Sequence, residues 1–146
     1  MWKTIITKED ILRFMEEMEC FHDSCIKEIS YLSGAYVNDN LGMHPINDSR
    51  VLKIVIQRQC EKNSMIEMEF QGLKFLRLFP ADENYTCEIL DATMLLKDEK
   101  IYWCDCGSLS EAEIDNYNGT VICAAKVRWR SVENCMGKKE FYHSDI

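Results

Sequence analysis

The chain has 146 residues, of which 47% are hydrophobic and 29% are charged. This composition is typical of a soluble globular domain, and the length predicts a single domain over residues 1–146. The 25 acidic residues outnumber the 17 basic ones, which gives a formal net charge of −8. Such a charge disfavours nucleic acids and anionic membrane surfaces as partners, because both are negatively charged. It is compatible with a basic protein partner, or with solubility alone.

No apolar run approaches the roughly 20 residues that a membrane-spanning helix needs. The N-terminal stretch MWKTIITKEDILRFMEEME contains charged residues too early for a secretory signal. We therefore expect a cytoplasmic protein with no membrane segment. In that compartment the eight cysteines are expected to stay reduced.

Residues 7–19, TKEDILRFMEEME, predict the first element, a helix. Thr7 is a suitable N-cap, and Asp10, three residues later, can complete a capping box. Ile11 and Met15 recur at helical spacing and define an apolar face.

The hydrophobic period then changes to two, which predicts strands. The segments with this pattern are residues 23–37, 50–59, 64–72 and 73–80. Residues 38–50 are rich in Asn, Asp, Gly and Pro and predict a turn region, and CEKNS at 60–64 predicts a hairpin loop. Pro80 is expected to end the fourth strand, because proline cannot donate to a sheet ladder.

The second half of the chain continues with strands. Residues 86–106 predict a hairpin with arms near 90–96 and 101–106 and the loop KDEK between them. A short helix is expected after Ser108 or Ser110, either of which can cap it. GTVICAAKVRWRSV at 119–132 predicts a long strand whose odd-numbered residues from 121 to 129 share one face, and KEFYH at 139–143 predicts an edge strand.

These elements define an α+β fold. The expected architecture is an N-terminal helix packed on a mostly antiparallel sheet of about six or seven strands, with one short second helix.

A row of basic residues lies on the last long strand, at Lys126, Arg128 and Arg130. Such a row can mark a phosphate or nucleic-acid surface. Glu67 and Glu69 alternate in the same way on an earlier strand, and charge pairing between the two strands would account for both rows. We favour this pairing, since nucleic-acid binding is not expected.

The stretch ECFHDSCIKEI, residues 19–29, joins the predicted helix to the first predicted strand. His22, Asp23 and Cys25 form a candidate functional or structural cluster. A metal site would draw on the Cys and His ligands that zinc prefers, here Cys20, His22, Cys25, Cys104 and Cys106. The spacing C-x-H-D-x-C is not a usual zinc spacing, so a structural joint, in which the cysteines pack and the His-Asp pair fixes the chain, is favoured.

No established catalytic or phosphate-binding motif occurs in the sequence, and we expect neither a catalytic residue nor a cofactor. Asp91, within the apolar stretch ILDATMLL, is the one candidate for a buried carboxylate.

The FHDSCI segment resembles a group of small bacterial proteins that carry an F-H-D-[SA]-x-I segment after a first helix. The matching residues are Phe21, His22, Asp23, Ser24 and Ile26. IEMEFQGLKFLRL at residues 66–78 is similar to a later section of the same group, which includes proposed immunity proteins of polymorphic toxin systems. The resemblance implies a binding protein that neutralises a toxin by covering its surface.

Three functions remain open. We favour a non-enzymatic cytosolic protein-binding protein with a basic partner. The first alternative is a metal- or thiol-dependent protein that uses the cysteine and histidine residues named above. The second is a small-molecule-binding domain with a pocket between helix and sheet.

Overall fold

The structure is a computed structural model, and it describes residues 1–143. Its helices are α1 (Lys8–Glu17) and α2 (Glu111–Ile114), and a 3-10 turn spans Glu19–Phe21. The strands, in chain order, are β1 (Lys3–Ile5), β2 (Ser24–Leu32), β3 (Tyr36–Val37), β4 (Met43–His44), β5 (Val51–Arg58), β6 (Met65–Arg77), β7 (Thr93–Lys97), β8 (Lys100–Cys104) and β9 (Val121–Val132).

Seven of these strands form one antiparallel sheet with the order β2-β5-β6-β9-β8-β7, and β1 pairs with β9 beside β8. β3 and β4 form a separate two-stranded hairpin. The predicted α+β class, with one main helix, a short second helix and a mostly antiparallel sheet, is confirmed. β1 and β4 lie in segments for which the sequence predicted no strand, whereas the segment predicted as one strand at residues 23–37 contains both β2 and β3.

The predicted capping box explains where α1 begins. The Asp10 backbone N–H donates to Thr7 Oγ1 at 3.1 Å, and the Thr7 N–H donates to Asp10 Oδ2 at 2.9 Å. The buried side chains of the helix are Ile11, Phe14 and Met15, and they pack on the first face of the sheet. α2 begins with the same device, in which Ser110 and Glu113 cap each other.

The second face of the sheet is covered by two different pieces of chain. Buried residues of β8 and β9 pack there with Ile114 of α2. Over β5 and β6 the cover is the C-terminal strap, residues 135–143, whose Phe141 and Tyr142 pack on Val55 and Met65. The prediction of an edge strand at residues 139–143 is therefore wrong, because this segment crosses the sheet face.

β6 and β9 bend together at Gly72 and Ala125. Gly72 has a φ of +61°, and a Cβ there would lie 3.1 Å from the Ala125 Cβ. The bend changes which residues face the core: in β9, Ile122 and Ala124 belong to the same core as Val127. The predicted regular alternation of residues 121–129 is therefore wrong, and residues 64–72 and 73–80 contribute to one continuous bent strand.

The β7–β8 hairpin is confirmed with shorter arms. Its turn is Asp98 and Glu99, both at positive φ, and Lys97 pairs with Lys100. The predicted arm 101–106 would place the Cys104 and Cys106 side chains on one strand face. β8 instead ends at Cys104, so Cys106 lies in the following loop.

A protruding segment joins β2 to β5. We call residues 34–49 the arm; it contains the β3–β4 hairpin and is closed at its base, where the Ser49 and Arg50 N–H groups donate to the Ser33 carbonyl. Apolar side chains that are more than half exposed are concentrated in the arm: Tyr36, Val37, Leu41, Met43 and Ile46.

Neither helix that the structure places in residues 1–143 has the length and apolar character that a bilayer crossing requires.

Candidate functional site

The segment Glu19–Ser24, here called the corner, turns the chain from α1 into β2. Glu19, Cys20, Phe21 and Asp23 all have φ between 50° and 61°, a region that non-glycine residues rarely adopt. The Phe21 ring is fully buried and packs edge to face against the rings of Phe14 and Trp103. Burial of this aromatic side chain offsets part of the cost of the strained backbone.

The corner holds a second segment, residues 78–92, here called the anchored loop. The Ile89 N–H donates to the Ser24 carbonyl at 2.7 Å, and the Ala92 N–H donates to the Cys20 carbonyl at 2.9 Å. His22 Nδ1 lies 2.7 Å from the Leu90 carbonyl. The two segments therefore form one continuous surface, although about 60 residues separate them along the chain.

His22 and Asp23 lie on this surface rather than beneath it. Their side chains are 63% and 51% exposed, and His22 Nε2 lies 3.3 Å from Asp23 Oδ2. The hydrogen bond to the Leu90 carbonyl, then the Asp23 carboxylate, raise the pKa of His22 above its ordinary value. The pair fixes the anchored loop to the corner, and its outer edge is open to a partner.

The candidate metal ligands lie in different parts of the fold. Cys20 is exposed at the corner beside Asp91, whereas Cys25 follows in β2 and is half-buried. Cys104 is buried in β8, and Cys106 lies beyond its end. Among the side chains of residues 1–143, no group of three or more His, Cys, Asp or Glu could hold a metal ion. The structure thus does not bring the five candidates together.

Four of the eight thiols are poorly suited to nucleophilic chemistry. Burial raises the pKa of Cys20, Cys25, Cys104 and Cys123 above the ordinary thiol value. A reactive cysteine requires the opposite shift, because the thiolate is the nucleophile. These four side chains therefore remain protonated at neutral pH.

Asp91 is half-buried and precedes β7, so it does not lie in the hairpin strand where the sequence placed it. Its carboxylate packs against the backbone of Gly107, where a Cβ would lie 2.3 Å from Asp91 Oδ2. This close approach requires glycine at position 107. Asp91 therefore helps to position the end of the anchored loop.

Acidic residues are concentrated in two segments that the fold brings together. Residues 14–26 and 78–92 each contain four acidic residues and no lysine or arginine. A third segment, residues 101–125, shows the same charge pattern, so the first two together hold eight of the 25 acidic residues and no lysine or arginine. Counting charge by segment would have found each half, but only the fold shows that the corner and the anchored loop join.

Apolar side chains accompany this charge. Leu78, Phe79, Tyr85 and Leu90 of the anchored loop are each more than half exposed. Large apolar groups beside charged ones are typical of protein-binding surfaces. We refer to residues 14–26 and 78–92 together as the acidic surface.

A groove does lie between α1 and the sheet, as the small-molecule hypothesis requires. Its walls include Ile11, Leu12, Met94 and Leu96, and its volume is about 240 Å³. Sites for small molecules usually measure about 300–1,000 Å³, so this groove is small for such a role.

No family model, curated protein or solved structure matches this chain. The resemblance of FHDSCI to immunity-like proteins stays a prediction. Function must therefore be inferred from the chemistry of the surfaces described above.

Proposed function

We propose that this protein is a non-enzymatic binding protein that captures a basic protein partner on the acidic surface. The observation that carries the proposal is that the fold joins residues 14–26 and 78–92, which together contain eight acidic residues and no lysine or arginine. A concentrated acidic surface attracts a basic protein over several ångströms and raises the rate of association.

The exposed side chains of the anchored loop supply the short-range part of binding. Phe79, Tyr85 and Leu90 lose contact with water when a partner covers them, and burial of apolar area favours the complex by about 25 cal/mol per Å². Aromatic residues are also enriched among the residues that dominate interface energies. An inhibitory role toward a basic toxin, as the resemblance implies, is one form of this function.

The experiment compares two variants that each remove four negative charges. The first neutralises the anchored loop by Asp82→Asn, Glu83→Gln, Glu88→Gln and Asp91→Asn. The matched control neutralises exposed acids elsewhere, by Asp39→Asn, Asp48→Asn, Glu99→Gln and Glu133→Gln. Affinity capture from the native host identifies the partner, and stopped-flow mixing with the purified partner measures association.

The loop variant is expected to associate at least about tenfold more slowly than wild type at low salt, and the control at nearly the wild-type rate. Added salt should slow wild type toward the rate of the loop variant, because salt screens the attraction. Equal effects of the two variants would contradict the proposal, since net charge alone would then explain them.

A further inference from the structure

A second site lies at the other end of β2, on the sheet face that the C-terminal strap partly covers. It is a cleft of about 410 Å³ between the end of β2, the base of the arm and Tyr142 of the strap. The floor is formed by Lys53, Glu69 and Arg128, which are directly opposite one another on β5, β6 and β9. This volume falls within the range of small-molecule sites.

The floor of the cleft carries more positive than negative charge. Glu69 is 4% exposed and is bound by Arg128, whose Nε and Nη2 donate at 3.1 and 3.2 Å. The neighbouring carboxylates have their own cations: Glu67 pairs with Arg130 at 2.9 Å and Glu28 with Lys27 at 3.3 Å. Within residues 1–143, Lys53 is left without an ion pair, so the floor carries one uncompensated positive charge.

The walls add apolar surface to this charge. Tyr31, Leu32 and Val51 line the cleft. Leu32 pairs with Val51 on the same sheet face as Lys53, and its side chain is exposed there. A ligand that matches both features has an anionic head for Lys53 and an apolar body for these side chains. Nη1 of Arg128 donates to no residue in the described part of the chain and is available to the same head group.

The net charge of the protein does not oppose such a ligand. β2 has nine residues, so at about 3.3 Å per residue its two ends lie about 26 Å apart. The Debye length at physiological salt is about 8 Å, so the field of the acidic surface is largely screened at the cleft. The local charge of Lys53 therefore determines which ligands are attracted.

We propose that this cleft binds a small organic anion, with a carboxylate or phosphate head and an apolar body. The site is separate from the acidic surface, and it does not depend on the function proposed for that surface.

The test is an NMR titration of the full chain with phenylacetate, phenyl phosphate, inorganic phosphate and the neutral phenylacetamide. Phenylacetate or phenyl phosphate is expected to shift the amide signals of Tyr31, Leu32 and Val51, and the stronger of the two identifies the preferred head group. Phenylacetamide should bind at least about tenfold more weakly, because it lacks the charge.

Two substitutions distinguish the contribution of the ligand's anionic head from that of its apolar body. Lys53→Met is expected to weaken binding of the anions at least about tenfold, whereas Lys62→Met, in the exposed β5–β6 loop, should leave it unchanged. Leu32→Ala should weaken phenylacetate but not inorganic phosphate. The proposal is overturned if Lys53→Met binds as wild type does, if phenylacetamide binds as tightly as phenylacetate, or if no anion shifts these signals at about 10 mM.

Discussion

His22 is the residue whose protonation couples the corner to the anchored loop. Its pKa is raised above 6.5 by the hydrogen bond to the Leu90 carbonyl and by Asp23. A group whose pKa is higher in the folded protein stabilises the fold fully below the unfolded pKa, and this contribution is lost as pH rises through the folded pKa.

We therefore expect His22→Ala to reduce the free energy of unfolding more at about pH 5.5 than at about pH 8.5. Urea denaturation at both values measures the difference, and an NMR titration of the His22 ring gives its pKa directly. Asp23→Asn is the matched control, since it keeps the Leu90 hydrogen bond and should lower the pKa only in part. A wild-type pKa at or below 6.5 would contradict this account.

Glu67 is the most buried carboxylate among the ion pairs of the second sheet face, and its partner is Arg130. Glu67 is 2% exposed, and Arg130 stacks on the Trp2 ring at 4.8 Å. Removing the cation leaves a buried carboxylate without a partner, which costs about 3–5 kcal/mol for a fully buried pair. The Arg130 side chain is 39% exposed, so solvent reduces this cost to about 2 kcal/mol.

Arg130→Met is thus expected to lower the free energy of unfolding by about 2 kcal/mol, as measured with urea. The double variant Glu67→Met/Arg130→Met should recover at least half of the loss, because no charge then remains buried. Arg13→Met removes an exposed partner of Asp10 and should cost less than about 0.5 kcal/mol. Additive losses in the double variant would show that the pair is not coupled.

Among the elements, the C-terminal strap is held on the sheet without regular strand pairing, and Gln57 Nε2 donates to its Cys135 and Gly137 carbonyls. A bulge in β2 lies between Ile26 and Glu28. The Glu28 carboxylate accepts hydrogen bonds from the Phe141 and Tyr142 N–H groups at 2.6 and 3.1 Å, and Lys27 Nζ donates to the Lys139 carbonyl. The strap is therefore held both by these hydrogen bonds to its backbone, which no sequence pattern reveals, and by the packing of Phe141 and Tyr142.

Glu28→Gln should release the strap, because an amide offers one acceptor where the carboxylate offers two. Hydrogen exchange of the Phe141 and Tyr142 amides is expected to accelerate about tenfold at neutral pH. Glu140→Gln, an exposed change within the strap, should leave exchange unchanged. If both variants exchange equally fast, Glu28 does not hold the strap.

The pH dependence of the strap follows from the same contacts. Burial raises the pKa of Glu28, but the two backbone N–H groups and Lys27 outweigh it, and the net pKa lies below 4.5. A carboxylate whose pKa is lower in the folded protein stabilises the fold at a pH above its pKa in the unfolded chain. This stability is lost as the pH falls through its pKa in the folded protein. Wild type should therefore lose the strap in acid, whereas Glu28→Gln should show no such transition.

At the scale of the whole molecule, most of the fold could be predicted from patterns between residues that are close in the sequence. Capping at Thr7 and Ser110 and the pairing of the Glu67 and Glu69 row with the basic row were predictable, because they depend on residues whose spacing is regular. The bend at Gly72 could not be predicted, since the side chains of β6 and β9 that face the core change from one alternate set to the other there. The acidic surface could not be predicted either, because it depends on contacts between segments that only folding brings together.

The arm and the anchored loop are both exposed and apolar, yet they relate differently to the rest of the molecule. The anchored loop is held by the corner, whereas the arm contributes no side chain to the main buried core and is closed only at its base. Replacing residues 34–49 by Asn-Gly would join Ser33 to Arg50 through the two-residue turn that hairpins favour. A shorter loop lowers the entropic cost of closure by up to about 2 kcal/mol, which offsets the lost contacts of the arm.

The shortened protein is thus expected to fold, with a free energy of unfolding no more than about 1 kcal/mol below that of wild type. Urea denaturation and the NMR spectrum of the sheet test this expectation, and an unfolded product would show that the arm belongs to the folding unit. Partner association should also proceed at the wild-type rate, because the acidic surface is intact. Loss of binding in a folded, shortened protein would instead assign the partner to the arm, whose exposed apolar residues would then be the docking surface.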